Sequence, residues 1–92
     1  MAQTPSAEEQ KKVNDIMHLL DNLANDASIP RNVRKTVTDV REQLLNEKED
    51  LSVRVGTAIY SLEESAEDVN IPMHARTQLW AILSALESIK IE

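Results

Sequence analysis

Asp-Ala-Ser-Ile-Pro-Arg-Asn-Val-Arg at residues 26–34 returns as Asp-Val-Asn-Ile-Pro-Met-His-Ala-Arg at residues 68–76. Both copies read Asp-x-x-Ile-Pro-x-x-x-Arg, and the second begins 42 residues after the first (68 − 26). Apolar positions outside the motif repeat with the same offset, as in Leu20 and Leu62. A period of about 40 residues is typical of a duplicated helical hairpin. The chain is therefore predicted to consist of two tandem hairpins of one design.

Apolar residues at intervals of three and four predict a helix on each side of both motifs. Ser6 and Glu9 have the spacing of a capping box at the start of the first helix. The expected helices are residues 7–26, 30–46, 51–68 and 72–90. Their short connections favour an all-α, four-helix up-down bundle with antiparallel neighbours. The alternative is an open stack of two repeats that completes itself by oligomerising.

The domain organisation follows from the same pattern. Residues 1–5 show no periodicity and are predicted to be a disordered tail. Residues 6–92 are predicted to form a single four-helix domain, with one hairpin at 6–46 and the other at 50–91. Gly56, the only glycine, lies inside the third helix. It indicates either a close helix crossing or an exposed position where its cost of about 1 kcal/mol is tolerated.

Composition and charge exclude several classes of function. Ten Lys and Arg against sixteen Asp and Glu give a net charge of −6, which disfavours nucleic acids and anionic membranes as partners. The absence of cysteine excludes disulfides, thiolate zinc sites and cysteine nucleophiles. No apolar run approaches the ~18 residues of a membrane span. We expect a cytoplasmic protein that needs no cofactor.

The repeated motif is interpreted as structural. Each Asp precedes the second helix of its hairpin and is expected to accept amides exposed at that N-terminus. Each Arg lies one turn into that helix, where we expect it to contact carboxylates or helix-end carbonyls. The motif residues are Asp26, Ile29, Pro30, Arg34, Asp68, Ile71, Pro72 and Arg76.

Two resemblances accompany the motif. The Asp at each inter-helix turn, followed by Val33-Arg34 or Ala75-Arg76, resembles the turns of HEAT and armadillo-type repeats. The Ile-Pro-x-x-x-Arg turns, the segment Leu-Ser-Val-Arg-Val at 51–55, and residues 71–77 through 83–87 look like uncharacterised protein family 0147. That resemblance implies a small archaeal helical protein, and it implies no particular activity or catalytic residue.

Two surfaces are candidate contact sites. Met73, Trp80 and Leu83 lie beside the main apolar stripe of the fourth helix and predict an exposed patch, and hence a homodimer that buries Trp80. The alternative role of Trp80 and Leu83 is to cover the flank of the first helix. A basic strip on the second helix is a possible anion-binding surface, although no aromatic residue lies nearby to stack on nucleic-acid bases. The strip consists of Arg31, Arg34, Lys35 and Arg41.

Two further groups of residues could bind metal. Asp15 and His18 have the i, i+3 spacing of half a carboxylate-bridged metal site, but no second such pair accompanies them. An acidic cluster closes the third helix, where negative charge opposes the helix dipole. It is either a site for a divalent cation or a basic partner, or simply a solvated face. The cluster is Glu63, Glu64, Glu67 and Asp68.

The sequence thus favours a small non-enzymatic module for protein interaction or self-association. An RNA- or ribosome-associated factor that uses the basic strip is the first alternative. A small carboxylate-metal protein is the second. No nucleophile or base accompanies the motif aspartates and arginines at a recognisable spacing, so the sequence predicts no catalytic role for them.

Overall fold

Four helices make up most of residues 6–89, the part of the chain that the computed structural model describes. Their bounds are Ala7–Ala24 (α1), Arg31–Leu44 (α2), Leu51–Ala66 (α3) and Met73–Glu87 (α4). The all-α prediction is confirmed, and these residues contain no strand. Each helix ends two or three residues before its predicted end. The tail predicted for residues 1–5 lies outside the described residues.

The helix starts follow from local chemistry. At α1 the Ser6 hydroxyl accepts the Glu9 amide at 3.1 Å, while the Glu9 carboxylate accepts the Ser6 amide at 2.9 Å, so the capping box is confirmed. At α2 and α4 the residue before the helix is a proline in extended conformation. The carbonyls of Pro30 and Pro72 accept the amides of Arg34 and Arg76 at 3.0 Å. Proline fits there because its missing N–H is not needed.

The helices close into a ring. Helix α1 packs against α2 and α4, and α3 packs against the same two partners. Within residues 6–89 the diagonal pairs, α1 with α3 and α2 with α4, make no direct backbone approach. The bundle measures 39 × 20 × 19 Å. The contact between α1 and α4 seals the ring, so the alternative of an open two-repeat stack is wrong.

The core is aliphatic, and its members correspond across the 42-residue offset. The isoleucines of the two turns, Ile29 and Ile71, are both buried. Both aromatic residues of the chain, by contrast, lie on the surface. The buried core residues that form corresponding pairs are Val13 and Val55, Ile16 and Ala58, Leu20 and Leu62, Ile29 and Ile71, Val33 and Ala75, Val37 and Leu79, Val40 and Ile82, and Leu44 and Leu86.

Polar contacts at the end of the bundle where α1 begins follow the same pseudo-twofold symmetry. The buried Arg54 of α3 donates from Nη1 to the Leu44 carbonyl at 2.8 Å, at the C-terminus of α2. Lys12 of α1, the equivalent residue (54 − 42), donates to the Ser88 carbonyl at 3.2 Å, just beyond α4. In both cases a cation on the first helix of one hairpin satisfies a carbonyl at the end of the other hairpin.

Gly56 is exposed, and a Cβ built there meets no atom within 4 Å. The close-crossing interpretation is therefore wrong, and the exposed one is confirmed. We predict that Gly56→Ala raises the free energy of unfolding by about 1 kcal/mol, because alanine restricts the unfolded chain and favours the helix. Urea denaturation followed by circular dichroism measures the change. A lower urea midpoint in the variant would contradict the prediction.

Candidate functional site

A shallow groove between α3 and α4 contains both aromatic residues. It is lined by Tyr60, Glu63 and Glu64 of α3, by Glu67 directly after that helix and by Trp80 of α4, and we call it the aromatic groove. The three glutamates share one face with Tyr60 because they follow it by three, four and seven residues. Tyr60 is 66% exposed and Trp80 is 54% exposed. The core contains only aliphatic side chains, and the two aromatic side chains of the protein are exposed to solvent.

The aromatic groove is electronegative. The Glu64 carboxylate, by accepting a hydrogen bond from the tyrosine hydroxyl, raises the pKa of Tyr60 above its usual 10.0. Within residues 6–89 no ion pair involves Glu63, Glu64 or Glu67. The last turn of α3 also has no basic residue. These carboxylates therefore oppose the helix dipole without a compensating cation among the described residues.

The predicted patch on α4 is only partly exposed. Met73 is 72% exposed and lies two turns before Trp80 on the same face. Leu83, however, is 2% exposed, so its predicted place in the patch is wrong. Because α4 packs against both α1 and α3, its buried arc is wide enough to include Leu83 beside Ile82. The large exposed side chain that shares a groove with Trp80 is that of Tyr60 and not that of Leu83.

Tyr60 was missed by reasoning from the sequence. Its signal was available, since it lies outside the α3 stripe of Val55, Ala58 and Leu62 and is followed by three glutamates on its own face. Its proximity to Trp80 was not available, because that depends on how α3 and α4 pack.

The basic strip on α2 is largely engaged within the fold. Arg34 donates from Nε to the Ile29 carbonyl at 3.1 Å. Lys35 pairs with Asp39 one turn later at 3.1 Å, and Arg41 forms an ion pair with Asp21 of α1. Arg31 is exposed at the start of the helix. Three of the four strip residues thus have partners in their own chain.

The motif aspartates form turns and do not cap helices. The Ser28 amide donates to Asp26 Oδ1 at 2.9 Å, and the Asn70 amide donates to Asp68 Oδ1 at the same distance. Neither α2 nor α4 has a side-chain cap, so the expected capping role is wrong. The reason is that an Asx turn satisfies the carboxylate two residues on, before the chain reaches the helix.

The motif arginines donate to main-chain carbonyls. Arg76 donates from Nε to the Ala66 carbonyl at 3.2 Å and from Nη2 to the Asp68 carbonyl at 3.0 Å. Arg34 has the contact with the Ile29 carbonyl described above. Each guanidinium thereby ties the start of the second helix to the turn before it, and Arg76 also holds the C-terminus of α3.

The two turns meet at one end of the bundle and exchange contacts. His74 Nε2 lies 2.9 Å from Asp26 Oδ2, and Asn32 Nδ2 donates to Asp68 Oδ2 at 3.2 Å. Asn32 and His74 are equivalent across the repeat (74 − 42). Each hairpin therefore contributes the aspartate of one contact and the partner of the other. The role of His74 was missed from the sequence, because its carboxylate partner belongs to the other repeat.

A serine joins the contact between His74 and Asp26. Ser28 Oγ donates to Asp26 Oδ1 at 2.6 Å and lies 3.3 Å from His74 Nε2. A catalytic triad needs the serine and the aspartate on opposite nitrogens of the imidazole, so that the ring can move a proton between them. Here both meet Nε2. The cluster therefore fastens the two hairpins together and does not have the geometry of a hydrolytic centre.

The hydrogen bonds of Ser28 and His74 lower the pKa of Asp26 from 3.8 to about 2. A lowered pKa means that the stability contributed by the carboxylate is fully present above pH 3.8 and is lost as the pH falls towards 2. We predict a difference in unfolding free energy at pH 4 between the wild type and Asp26→Asn, which keeps the turn acceptor but not the charge. Urea titrations should show it shrinking between pH 4 and 2. A difference that stays unchanged over that interval would count against the ionised contact.

Asp15 and His18 are both exposed on α1. Within residues 6–89 no three side chains of His, Cys, Asp or Glu come together in a way that could hold a metal ion. No helix in this part of the chain has the length and apolar character needed to cross a membrane.

The protein is a small helical protein with a duplicated architecture. Its two tandem hairpins exchange contacts about a pseudo-twofold and close into a four-helix bundle. The chain belongs to the uncharacterised protein family UPF0147, whose model matches residues 1–89. A UPF0147 protein of Thermoplasma volcanium is 42% identical over 83 residues, which are 90% of this chain and 93% of that relative. A UPF0147 protein of Methanocaldococcus jannaschii is 40% identical over 89 residues, 92% of this chain and 96% of that relative.

Solved structures share the fold. The crystal structure of a UPF0147 protein from Thermoplasma acidophilum has a TM-score of 0.86 at 41% identity and covers 89% of this chain and 96% of its own. A second crystal structure, described as a protein of unknown function, has the same TM-score at 39% identity over 98% of this chain and 100% of its own. The predicted resemblance to the family is confirmed, and the function of the family is unknown.

Proposed function

We propose that this protein is a non-enzymatic, cytoplasmic interaction module and that the aromatic groove is its contact surface. The observation that carries the proposal is the position of Tyr60 and Trp80, the only aromatic residues of the chain, which are both more than half exposed and line one groove. Leaving a large apolar side chain in water forgoes about 1.5–3 kcal/mol of stabilisation. Tyr and Trp are also enriched in the centres of protein interfaces.

A homodimer that buries Trp80 is the second candidate. Met73, exposed two turns earlier on the same face of α4, favours it because the two side chains together offer a longer apolar surface. The glutamates of the groove disfavour it, because a twofold contact through this surface brings two sets of three carboxylates together. We therefore favour a partner that is a different protein and does not bring further carboxylates to the groove.

Affinity capture from an extract of the native cells tests the proposal. Immobilised wild-type protein is compared with Trp80→Ala and with Val53→Ala, which truncates an exposed apolar residue of α3 outside the aromatic groove. We expect a partner to be retained by the wild type and by Val53→Ala and to be lost with Trp80→Ala. If the retained proteins are the same for all three, the groove is not the contact surface.

Light scattering on a size-exclusion column separates the two candidates. At tens of micromolar we expect a monomer for the wild type. A dimer that dissociates in Trp80→Ala would identify self-association as the function of the groove. A dimer that persists in this variant would place the dimer contact elsewhere.

A further inference from the structure

We infer that the aromatic groove binds an arginine side chain presented by a basic segment of a partner protein. The inference rests on the proposed function, since it names the chemistry of the partner that the groove accepts. It goes beyond that function because an exposed aromatic pair alone would suit any apolar surface. The carboxylates around the pair select the occupant.

The lining combines the two kinds of group that a guanidinium recognises. A cation is attracted to the face of an indole or phenol ring, and arginine is found there more often than lysine. The planar guanidinium can stack on a ring while its N–H groups donate to carboxylates in its own plane. Glu63 in α3 and Glu67 at its C-cap lie one turn apart, on the same face as Tyr60, and Trp80 lines the groove from α4. An arginine entering between the helices thus meets rings and carboxylates together.

Charge supports a cationic occupant. The five lining residues include three carboxylates and no cation. Two carboxylates elsewhere in the described chain have a basic partner, since Asp26 contacts His74 and Asp21 pairs with Arg41. Arg76 lies one turn before Trp80 on α4, but its guanidinium donates to main-chain carbonyls at the end of α3. The net charge of −6 adds long-range attraction for a basic segment.

Other occupants fit less well. Phosphate groups of nucleic acids or lipids would be repelled by the three glutamates. A small apolar ligand would find a groove of about 380 Å³, which is at the low end of ligand pockets and is bordered by charge. A second copy of this chain would bring its own glutamates to the same place. A basic partner is the occupant whose charge complements the lining.

The glutamates also lie where they destabilise the free protein. Two carboxylates in the last turn of α3 and a third at its C-cap oppose the helix dipole, and the last turn has no basic residue to offset them. Neutralising them should therefore raise the urea midpoint of the free protein and weaken binding at the same time. A merely solvated acidic face predicts the first effect without the second.

Titration with a blocked peptide of four Arg-Gly repeats tests the inference. Trp80 is the only tryptophan, so its fluorescence reports occupancy of the groove directly. We expect a saturable change with the arginine peptide and none with the same peptide carrying uncharged citrulline in place of arginine. In Glu63→Gln/Glu67→Gln, the loss of two ion pairs should weaken binding about 10-fold. Trp80→Ala, measured by calorimetry, should weaken it about 5-fold.

Glu47→Gln/Glu49→Gln is the matched control, because it removes the same charge at the opposite end of the bundle. It should change the affinity less than 2-fold. Equal weakening in both double variants would show non-specific attraction and overturn the inference, as would equal binding of the citrulline peptide. Circular dichroism and urea midpoints establish that each variant is folded.

The inference and the proposed function fail separately. If the arginine peptide does not bind but cell-extract partners are still lost with Trp80→Ala, the inference is wrong and the contact surface stands. If a Trp80-dependent homodimer forms without peptide, the occupant is a second copy and the inference is wrong. If neither peptide nor partner depends on the groove, both are wrong.

Discussion

Leu62→Ala is expected to lower the free energy of unfolding by about 2–5 kcal/mol, the range for deleting a fully buried leucine side chain. Leu62 is completely buried in α3, and its equivalent in α1, Leu20, is completely buried as well. Stabilities of small domains are about 5–15 kcal/mol, so either substitution removes a large part of the total. Because the pseudo-twofold places the two leucines at equivalent positions, we expect the two losses to agree within about 1 kcal/mol.

Leu45→Ala provides the control for this comparison. Leu45 follows α2 and is largely exposed, so the same chemical change should alter stability by no more than about 0.5 kcal/mol. Urea denaturation of the three variants, with a common slope against denaturant, gives the values. Losses at Leu20 and Leu62 that differ by several kcal/mol would show that the duplicated sequence does not form an energetically symmetric core.

The architecture was predictable because it is written in local pattern and repetition. Intervals of three and four place the helices, Ser6 and Glu9 mark the first helix start, and the prolines mark the starts of α2 and α4. The 42-residue offset indicates that the two hairpins have the same helix–turn–helix structure. Closure into a bundle was the favoured prediction because two hairpins alone make a poor stack, and the contact between α1 and α4 decides it.

The contacts between hairpins could not be predicted, because each joins residues that no local spacing relates. His74 belongs to the second motif, whereas its carboxylate partner is Asp26 of the first. Leu83 was placed at the edge of one stripe, whereas α4 packs against two helices and buries it. Tyr60 and Trp80 share a groove only because α3 and α4 are antiparallel neighbours.

Polar side chains at the two ends of the bundle have partners within the fold, whereas the carboxylates of the aromatic groove, on its side, form no ion pair within residues 6–89. At one end the turns exchange contacts through Asp26 and Asp68, and at the other Lys12 and Arg54 satisfy carbonyls of the opposite hairpin. These polar side chains are used within the fold. The aromatic groove lies on the side of the bundle, and its carboxylates have no partner among the described ion pairs. This distribution is what distinguishes a contact surface from a structural network.

Arg54→Ala is expected to lower the free energy of unfolding by about 2–4 kcal/mol. Arg54 is 6% exposed, and it donates both to the Leu44 carbonyl at 2.8 Å and, from Nε, to the Glu49 carbonyl at 3.0 Å. Hydrogen bonds from a charged donor contribute about 1.5–3 kcal/mol each, and truncation also leaves the Leu44 carbonyl without its partner. The aliphatic stem adds lost packing. Arg54→Lys should lower the free energy of unfolding less than Arg54→Ala, because the lysine ammonium can keep part of the contact with the two carbonyls.

Lys12→Ala is the matched control, because Lys12 is the pseudo-twofold equivalent of Arg54 and makes a single, exposed contact with the Ser88 carbonyl. Its loss should be below about 1 kcal/mol, since the released carbonyl is accessible to water. Urea denaturation ranks the three variants, with Arg54→Ala least stable, Arg54→Lys intermediate and Lys12→Ala closest to the wild type. If Arg54→Ala proved no more destabilising than Lys12→Ala, the buried guanidinium would not be what joins α3 to the end of α2.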